Sequence, residues 1–489
     1  MRIHTPPSAV DVVVVGSGNA GFSAAVSAAE RGAGRVILID KCPAEWAGGN
    51  SFFAAGAFRT VHDGTEDILP IVNNVDSEIA RIIDPEPYSQ HDFRRDVDRM
   101  TSDRTDPALS QILIDDSNDA IKWLASNGVR FQLSFNRQAY KVSGRFKFWG
   151  GMTLKTEDGG KGLTEDHEAA ARRHGVEVYH STPARRIVTN VFSAIVGLVV
   201  ECNGVETLIN TRAVILAAGG FESNPRLRAQ YLGPGWDFAW LGAGCHSTRW
   251  DANAPANGGD RTISSEFTKS GYPLGLMVNT IGERFVDEGM DMRNYTYAKF
   301  GRTIHEQPDG VAFQVWHQHA IPWLRSEEYR DEIVHKIWGS TVEELAEKLR
   351  AEEGLSSPDK FNPAAKWDPA IKDGLSTQSS RTKLPLAKSN WALPFDQGPF
   401  IAVKVCCGVT FTFGGLAVNP ETTAVISRSG REVAGLFCVG EMPGGGLTSS
   451  AVFGRRARAA AASLVAGQSA MSRDLSTPTR GGPSSYARL

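Results

Sequence analysis

Three glycines spaced as G-x-G-x-x-G, Gly16, Gly18 and Gly21, lie between an apolar run at 10–15 and an alanine-rich stretch at 22–29. Each has a physical task in holding a pyrophosphate. Gly16 makes a tight turn, Gly18 lets the phosphates approach the backbone, and Gly21 lets a helix pack closely on a strand. The helix that follows offers unpaired N–H groups and partial positive charge to the anion. Asp40 closes a second apolar run at 36–39. Its carboxylate can accept hydrogen bonds from ribose hydroxyls and would repel a 2′-phosphate, which points to FAD or NAD rather than NADP. A second cluster, Gly48-Gly49-Asn50-Ser51, suits an extended cofactor whose flavin ring lies beyond the pyrophosphate. A third runs from Gly440-Glu441 to Gly446-Leu447-Thr448-Ser449 and opens the last helix, whose N-terminus would stabilise an anionic reduced flavin. His317-Gln318-His319 has the composition of a metal site, but no third ligand falls at a recognisable spacing. These histidines are expected at the solvent, with no metal.

The elements that must position these groups follow from periodicity. The β-branched run at 10–15, the helix at 22–29 and the strand at 36–39 make one β–α–β unit around the glycines. Gly159-Gly160-Lys161-Gly162-Leu163 precedes a helix predicted at 165–174 and a strand at 176–179. Further strands are expected at 195–200 and 213–220. Residues 241–412 change character towards tryptophan, proline and charged helices, such as the solvated face predicted at 341–349. A glycine- and strand-rich pattern returns at 413–440, and an alanine-rich helix follows at 451–462. From about 470 the chain is rich in Ser, Thr, Pro, Gly and Arg, and is expected to be disordered.

Composition sets the outer limits. With 52 basic and 55 acidic residues the net charge is −3, which excludes a chain-wide basic footprint for nucleic acid. Of 489 residues, 50 are glycine, and much of that excess sits in the clusters above. The six cysteines form no Cys-x-x-Cys pair and read as reduced thiols. No apolar run approaches the roughly 18 residues of a membrane span, and no secretory leader precedes the first strand. A cytoplasmic location is expected. The C-terminal Ala487-Arg488-Leu489 resembles a peroxisomal address of the Ser-Lys-Leu type, so that compartment stays open.

Across about residues 8–468 the chain resembles the fumarate reductase/succinate dehydrogenase flavoprotein family, nearest the FAD-dependent tricarballylate dehydrogenase type. Besides the glycine clusters, the resemblance is carried by residues 216–221, Gly244-Cys245-His246, Arg284-Phe285-Val286-Asp287-Glu288 running into Arg293, residues 408–415 and residues 449–455. It implies an α/β fold in which a Rossmann-like, glutathione-reductase-like FAD-binding domain (1–240 and 413–470) carries an inserted α+β cap (241–412), ahead of a tail at 471–489. Hydride would pass between flavin N5 and a substrate carbon while a proton moves at the neighbouring carbon. Arg293 matches the arginine that delivers the proton, with Asp287, Glu288 or Asp291 as relays, and His246 matches a carboxylate-holding histidine. The cofactor contacts implied are Gly16, Gly18, Asn19, Ala20, Gly21, Asp40, Lys41, Gly48, Gly49, Asn50, Ser51, Ala184, Ala218, Gly219, Glu441, Gly446 and Leu447.

Departures from the family pattern narrow the chemistry. No Ser-His-Thr stands near the Gly48 cluster, so FAD is expected to be non-covalent. A family helix after Gly233-Pro234-Gly235 is missing, Met442 stands where an arginine would clamp a carboxylate, and a histidine pair is replaced by Thr410-Phe411. The expected activity is desaturation of a tricarballylate-like small acid. An ene-reductase of the same fold and a degenerate FAD-binding protein without turnover remain as alternatives. The partner would be a small carboxylic acid or enoate, with the electron partner open.

Overall fold

The computed structural model describes residues 5–135, 139–148, 150–241, 248–251, 267–353, 372–377, 386–393, 395–412, 414–442 and 445–474. His246, with Gly244 and Cys245, lies outside them, as does the tripeptide 487–489. Val12–Val15 forms the centre of a six-stranded sheet, pairing in parallel with Val36–Ile39 on one side and Ala213–Leu216 on the other. Glu177–Tyr179 extends one edge, while Glu432–Cys438 and the antiparallel Ala424–Ile426 extend the other. Val12, Val13 and Val14 are fully buried, as expected of a strand covered on both faces. The fold is α/β.

The helices that carry the site are, in chain order, α1 (Asn19–Glu30), α2 (Gln90–Thr101), α3 (Gly159–Arg173), α4 (Arg293–His305) and α5 (Leu447–Asp474). Small residues let α1 and α5 nearly touch. A Cβ on Gly454 of α5 would stand 2.8 Å from Ser23 Cβ and 2.9 Å from Ala20 O of α1. Helix α3 begins at Gly159, six residues before the predicted start. Glycine disfavours a helix interior, so the cluster reads as a turn. Here it is a packing device: a Cβ on Gly160 would lie 1.9 Å from Ser51 O. Helix α5 continues to Asp474, beyond the point where the sequence pattern places the tail.

A second sheet has Phe400–Val409 at its centre, antiparallel to Val311–Trp316, which in turn pairs with Leu276–Val278. The short strands Trp240–Leu241, Thr248–Asp251 and Ile337–Gly339 add to the central strand. Helix α4 packs on this sheet through Phe300 and Ile304, in a core with Tyr272, Met277 and Trp316. Thr341–Leu349 is solvated on one face only. Glu344 and Lys348 pair there, while Leu345 and Leu349 are buried. His317 corrects the expectation of solvent exposure: it is fully buried, and only His319 faces outwards. Burial holds the His317 imidazole neutral, with its pKa lowered to about 4. No cluster of metal-binding side chains occurs among the described residues, and none of their helices is long and apolar enough to cross a membrane. Cys202, Cys406, Cys407 and Cys438 are buried, and Cys42 is partly exposed.

Candidate active site

The first glycine loop is shaped by contacts that no side chain could share. Gly16 has φ +111°, and a Cβ there would sit 2.4 Å from Ala217 O. A Cβ on Gly21 would lie 1.8 Å from Gly16 O, so helix α1 can seat on the loop only if Gly21 has no side chain. Gly18 differs. Its φ is an ordinary −79°, and the nearest atoms to an added Cβ are Ser51 Oγ at 3.6 Å and Gly48 O at 3.7 Å. That position is open, which fits the close approach of a pyrophosphate. Asp40 clamps the loop by accepting from Ser17 N and Ser17 Oγ, both at 2.7 Å, and from Cys42 N at 2.8 Å. A carboxylate has about four acceptor positions, so one remains for a ribose hydroxyl. Lys41 and Ala184 are exposed at this end of the sheet, where Thr182 N donates to Asp40 O at 2.7 Å.

Asn19 and Ala20 turn inwards instead. Asn19 Nδ2 donates to Leu447 O at 2.8 Å, and its Oδ1 lies 2.8 Å from His167 Nε2. Because Nδ2 already donates, Oδ1 must accept, which puts the His167 proton on Nε2. Burial keeps that ring neutral, with its pKa lowered to about 3. Asn19 therefore ties α1 to α3 and α5, and Ala20 packs against Gly440. Asn19 N donates to Ser51 Oγ at 3.1 Å, which brings the second glycine cluster onto the first. Gly48 adopts φ +94° beneath Thr164, Gly49 is open, and the Asn50 side chain donates to Thr410 O.

Gly219, next to Ala218, and Gly446 have positive φ and open space beside them. Gly446, Leu447, Thr448 and Ser449 bring the N-terminus of α5 to the edge of a cleft of about 1740 Å³. Beside it, Glu441 accepts from Thr412 N at 2.6 Å, and Glu222 approaches the same point. A Cβ on Gly220 would meet Glu441 Oε1 at 2.1 Å and Glu222 Oε2 at 2.7 Å. Burial first, and then the neighbouring Glu222 charge, raise the Glu441 pKa; burial likewise raises that of Glu222. Two carboxyls brought this close disfavour being ionised together. The sequence pointed to Glu441 alone, since nothing in the spacing links Glu222 to it. These bare backbone positions, a helix N-terminus and a clamped acid fit FAD.

Above the cleft stands the second sheet with α4. Arg293, the first residue of α4, borders the cleft and donates from Nη1 to Ser270 Oγ at 3.0 Å. The acids nearest to it in sequence are engaged elsewhere. Asp287 accepts from Ser389 N at 2.8 Å, and Glu288 pairs with Arg284 and accepts from Met277 N at 2.7 Å. Asp291 is bound by Arg99 at 2.8 Å and Lys372 at 2.7 Å. Arg59, which also borders the cleft, pairs with Asp96 at 2.5 Å, and Asp96 also accepts from Tyr88 at 2.8 Å and Tyr295 at 3.2 Å. Burial would lower the Arg59 pKa, but Tyr88 and Asp96 outweigh it and the group stays charged. Arg228, only 4% exposed, donates to the carbonyls of Glu222, Trp236, Asp237 and Ala239. It thereby fixes the aromatic wall of Trp236, Phe238 and Trp240. Phe411 lines the cleft, whereas Thr410 is buried away from it. The described lining carries five arginines against five carboxylates.

The family profile described as FAD binding domain matches residues 11–262 and 236–451. A probable fumarate reductase of Shewanella frigidimarina is 27% identical over 459 residues, covering 90% of this chain and 71% of that protein. A urocanate reductase of Eggerthella lenta is 26% identical, covering 93% of this chain and 75% of its own. The 3-ketosteroid Δ1-dehydrogenase structure from Sterolibacterium denitrificans superposes with a TM-score of 0.66 over 94% of this chain and 100% of that one. At 17% identity it shows a shared fold.

Proposed function

The chain belongs to the FAD binding domain family and is an FAD-dependent oxidoreductase of CH–CH groups; from this premise we propose that it reduces, or introduces, a C–C double bond conjugated to one carboxylate or carbonyl on a substrate with an apolar body. The observation that carries the proposal is the placement of Arg293 at a cleft that also borders the α5 N-terminus and an aromatic wall. When bound, FAD supplies the hydride donor or acceptor. The chain's own residues do the rest. Arg293 holds a proton for the carbon next to the carboxylate or carbonyl, and its cation stabilises the enolate-like charge that develops there. Trp236, Trp240 and Phe411 shed water from the substrate body. A tricarballylate-like triacid would need an excess of cations, and the described lining balances its arginines with carboxylates. We further propose that FAD is held without a covalent bond.

The test is anaerobic. Dithionite-reduced enzyme is mixed with fumarate, cinnamate or cyclohex-2-enone, and flavin absorbance is followed. Reoxidation by cinnamate or cyclohex-2-enone faster than by fumarate supports the proposal; reoxidation by none refutes it. Acid precipitation should leave all flavin in the supernatant.

A further inference from the structure

We propose that Ser270 and Glu328 form the proton path that recharges Arg293. The inference rests on the role proposed above for Arg293. Arg293 Nη1 donates to Ser270 Oγ at 3.0 Å, and Ser270 Oγ donates to Glu328 Oε2, which also accepts from Ser270 N at 2.8 Å. Glu328 Oε1 is held by Arg325 Nη1 at 3.1 Å. Ser270 is 8% exposed and Glu328 4%, yet both border the cleft, as do Arg293 and Arg325. The result is an unbroken chain of exchangeable protons running from the guanidinium, through a hydroxyl, to an acid that can meet water. A serine hydroxyl accepts and donates at once, so it can pass a proton on and take another. The Ser270 backbone is held in place. Its neighbour Gly271 donates to Tyr329 Oη at 2.8 Å and accepts from Trp316 Nε1 at 2.9 Å.

In the reductive direction an N–H bond of Arg293 breaks and a C–H bond forms at the α-carbon, as cofactor-derived hydride reaches the β-carbon. The neutral guanidine then takes the Ser270 hydroxyl proton. Ser270 takes one from the Glu328 carboxyl, which has drawn it from cleft water. One solvent proton is consumed per turnover and every residue returns to its starting state. Desaturation runs the same transfers backwards and releases one proton to water. A guanidinium is almost never neutral at pH 7. An adjacent path that refills it within the same event meets that constraint.

The experiment uses the FAD-loaded full chain and whichever of fumarate, cinnamate and cyclohex-2-enone the wild type consumes fastest. Glu328→Gln and Ser270→Ala should each lower kcat about 10²-fold, within the range of general acid–base effects, with KM changed less than threefold. Ser270→Thr, which keeps the hydroxyl, should restore most of the rate. The pH dependence of kcat contributed by Glu328 should vanish in Glu328→Gln, a change that a structural acid would not produce. Wild-type kcat with an unchanged pH profile in Glu328→Gln overturns the path. If that variant fails to fold, equal rates for Ser270→Ala and Ser270→Thr overturn it. Loss of turnover in Arg293→Ala with wild-type rates in both path variants removes this inference alone. Wild-type turnover in Arg293→Ala, or consumption of none of the three acceptors, removes the proposed function and the path with it.

Discussion

Gly18 and Gly21, which the fingerprint spacing treats alike, separate cleanly by geometry. An added Cβ at Gly18 meets ordinary contact distances, whereas at Gly21 it would lie 1.8 Å from a backbone oxygen. Gly18→Val is therefore expected to leave the melting temperature of the apoprotein nearly unchanged while FAD retention falls at least tenfold, read as the flavin-to-protein absorbance ratio. Gly21→Ala should instead destabilise the apoprotein by about 1–3 kcal/mol, as overpacking does. Equal effects of the two changes on apoprotein melting would contradict the assignment. Gly16, Gly21 and Asp40 were legible in the sequence because all three fall within one β–α–β unit whose glycine spacing and strand-terminal acid mark it, although Gly16 also meets Ala217 far along the chain. Glu328 was not. It reaches Ser270 across 58 positions, and neither residue carries a spacing signal. Asp287, Glu288 and Asp291 attracted attention by sequence proximity to Arg293, but each answers a different cation or backbone group. Asn19 is expected as a cofactor contact, and its side chain ties α1 to His167 and Leu447, a joint that no spacing in the sequence marks.

At the scale of elements, strands and helix cores were readable from periodicity, while helix starts at glycine clusters were not. Gly159-Gly160 opens α3 because that helix must lie against the turn at Ser51, a tertiary demand that overrides local propensity. The same helix carries a consequence for pH. His167 on α3, His62 and His317 are buried and neutral, with pKa values lowered by burial to about 3, about 4 and about 4. All lie below the unfolded value of about 6.5, so the unfolded chain binds more protons between pH 6.5 and about 3–4. The contribution of these three histidines is fully present above pH 6.5 and is lost as the pH falls through this window. By pH 5.5 each histidine should have cost on the order of 1 kcal/mol, measured by denaturant melts at pH 7.5 and 5.5. His167→Gln, whose amide can still donate to Asn19, should make the stability less sensitive to acid over this range. An identical pH slope in that variant would show that His167 is not a contributor.

At the scale of the whole molecule, the two sheets meet across the cleft through α2 and α4. Arg99 of α2 lies over the Tyr295 ring at 3.5 Å and pairs with Asp291 at 2.8 Å, while Tyr295 Oη reaches Asp96. Arg99 is 44% exposed, so the ion pair itself contributes about 0.2–1 kcal/mol and the ring contact about 0.5–1 kcal/mol. Arg99→Ala is thus expected to lower global stability by under about 2 kcal/mol, yet to speed limited proteolysis around α4 several-fold, because the contact acts on local opening rather than on the core. Unchanged cleavage rates would show that the clasp carries no such role. The joint between Asn19 and Leu447 has a different kind of consequence, one that concerns time. These partners are 428 positions apart. At about 5–20 residues per second, roughly 20–90 s pass between the synthesis of one and the other. Throughout that interval the glycine loop exists without the helix that completes its far wall. The nascent chain must wait with an unfinished nucleotide cradle, and cofactor loading becomes one of the last events in making the protein.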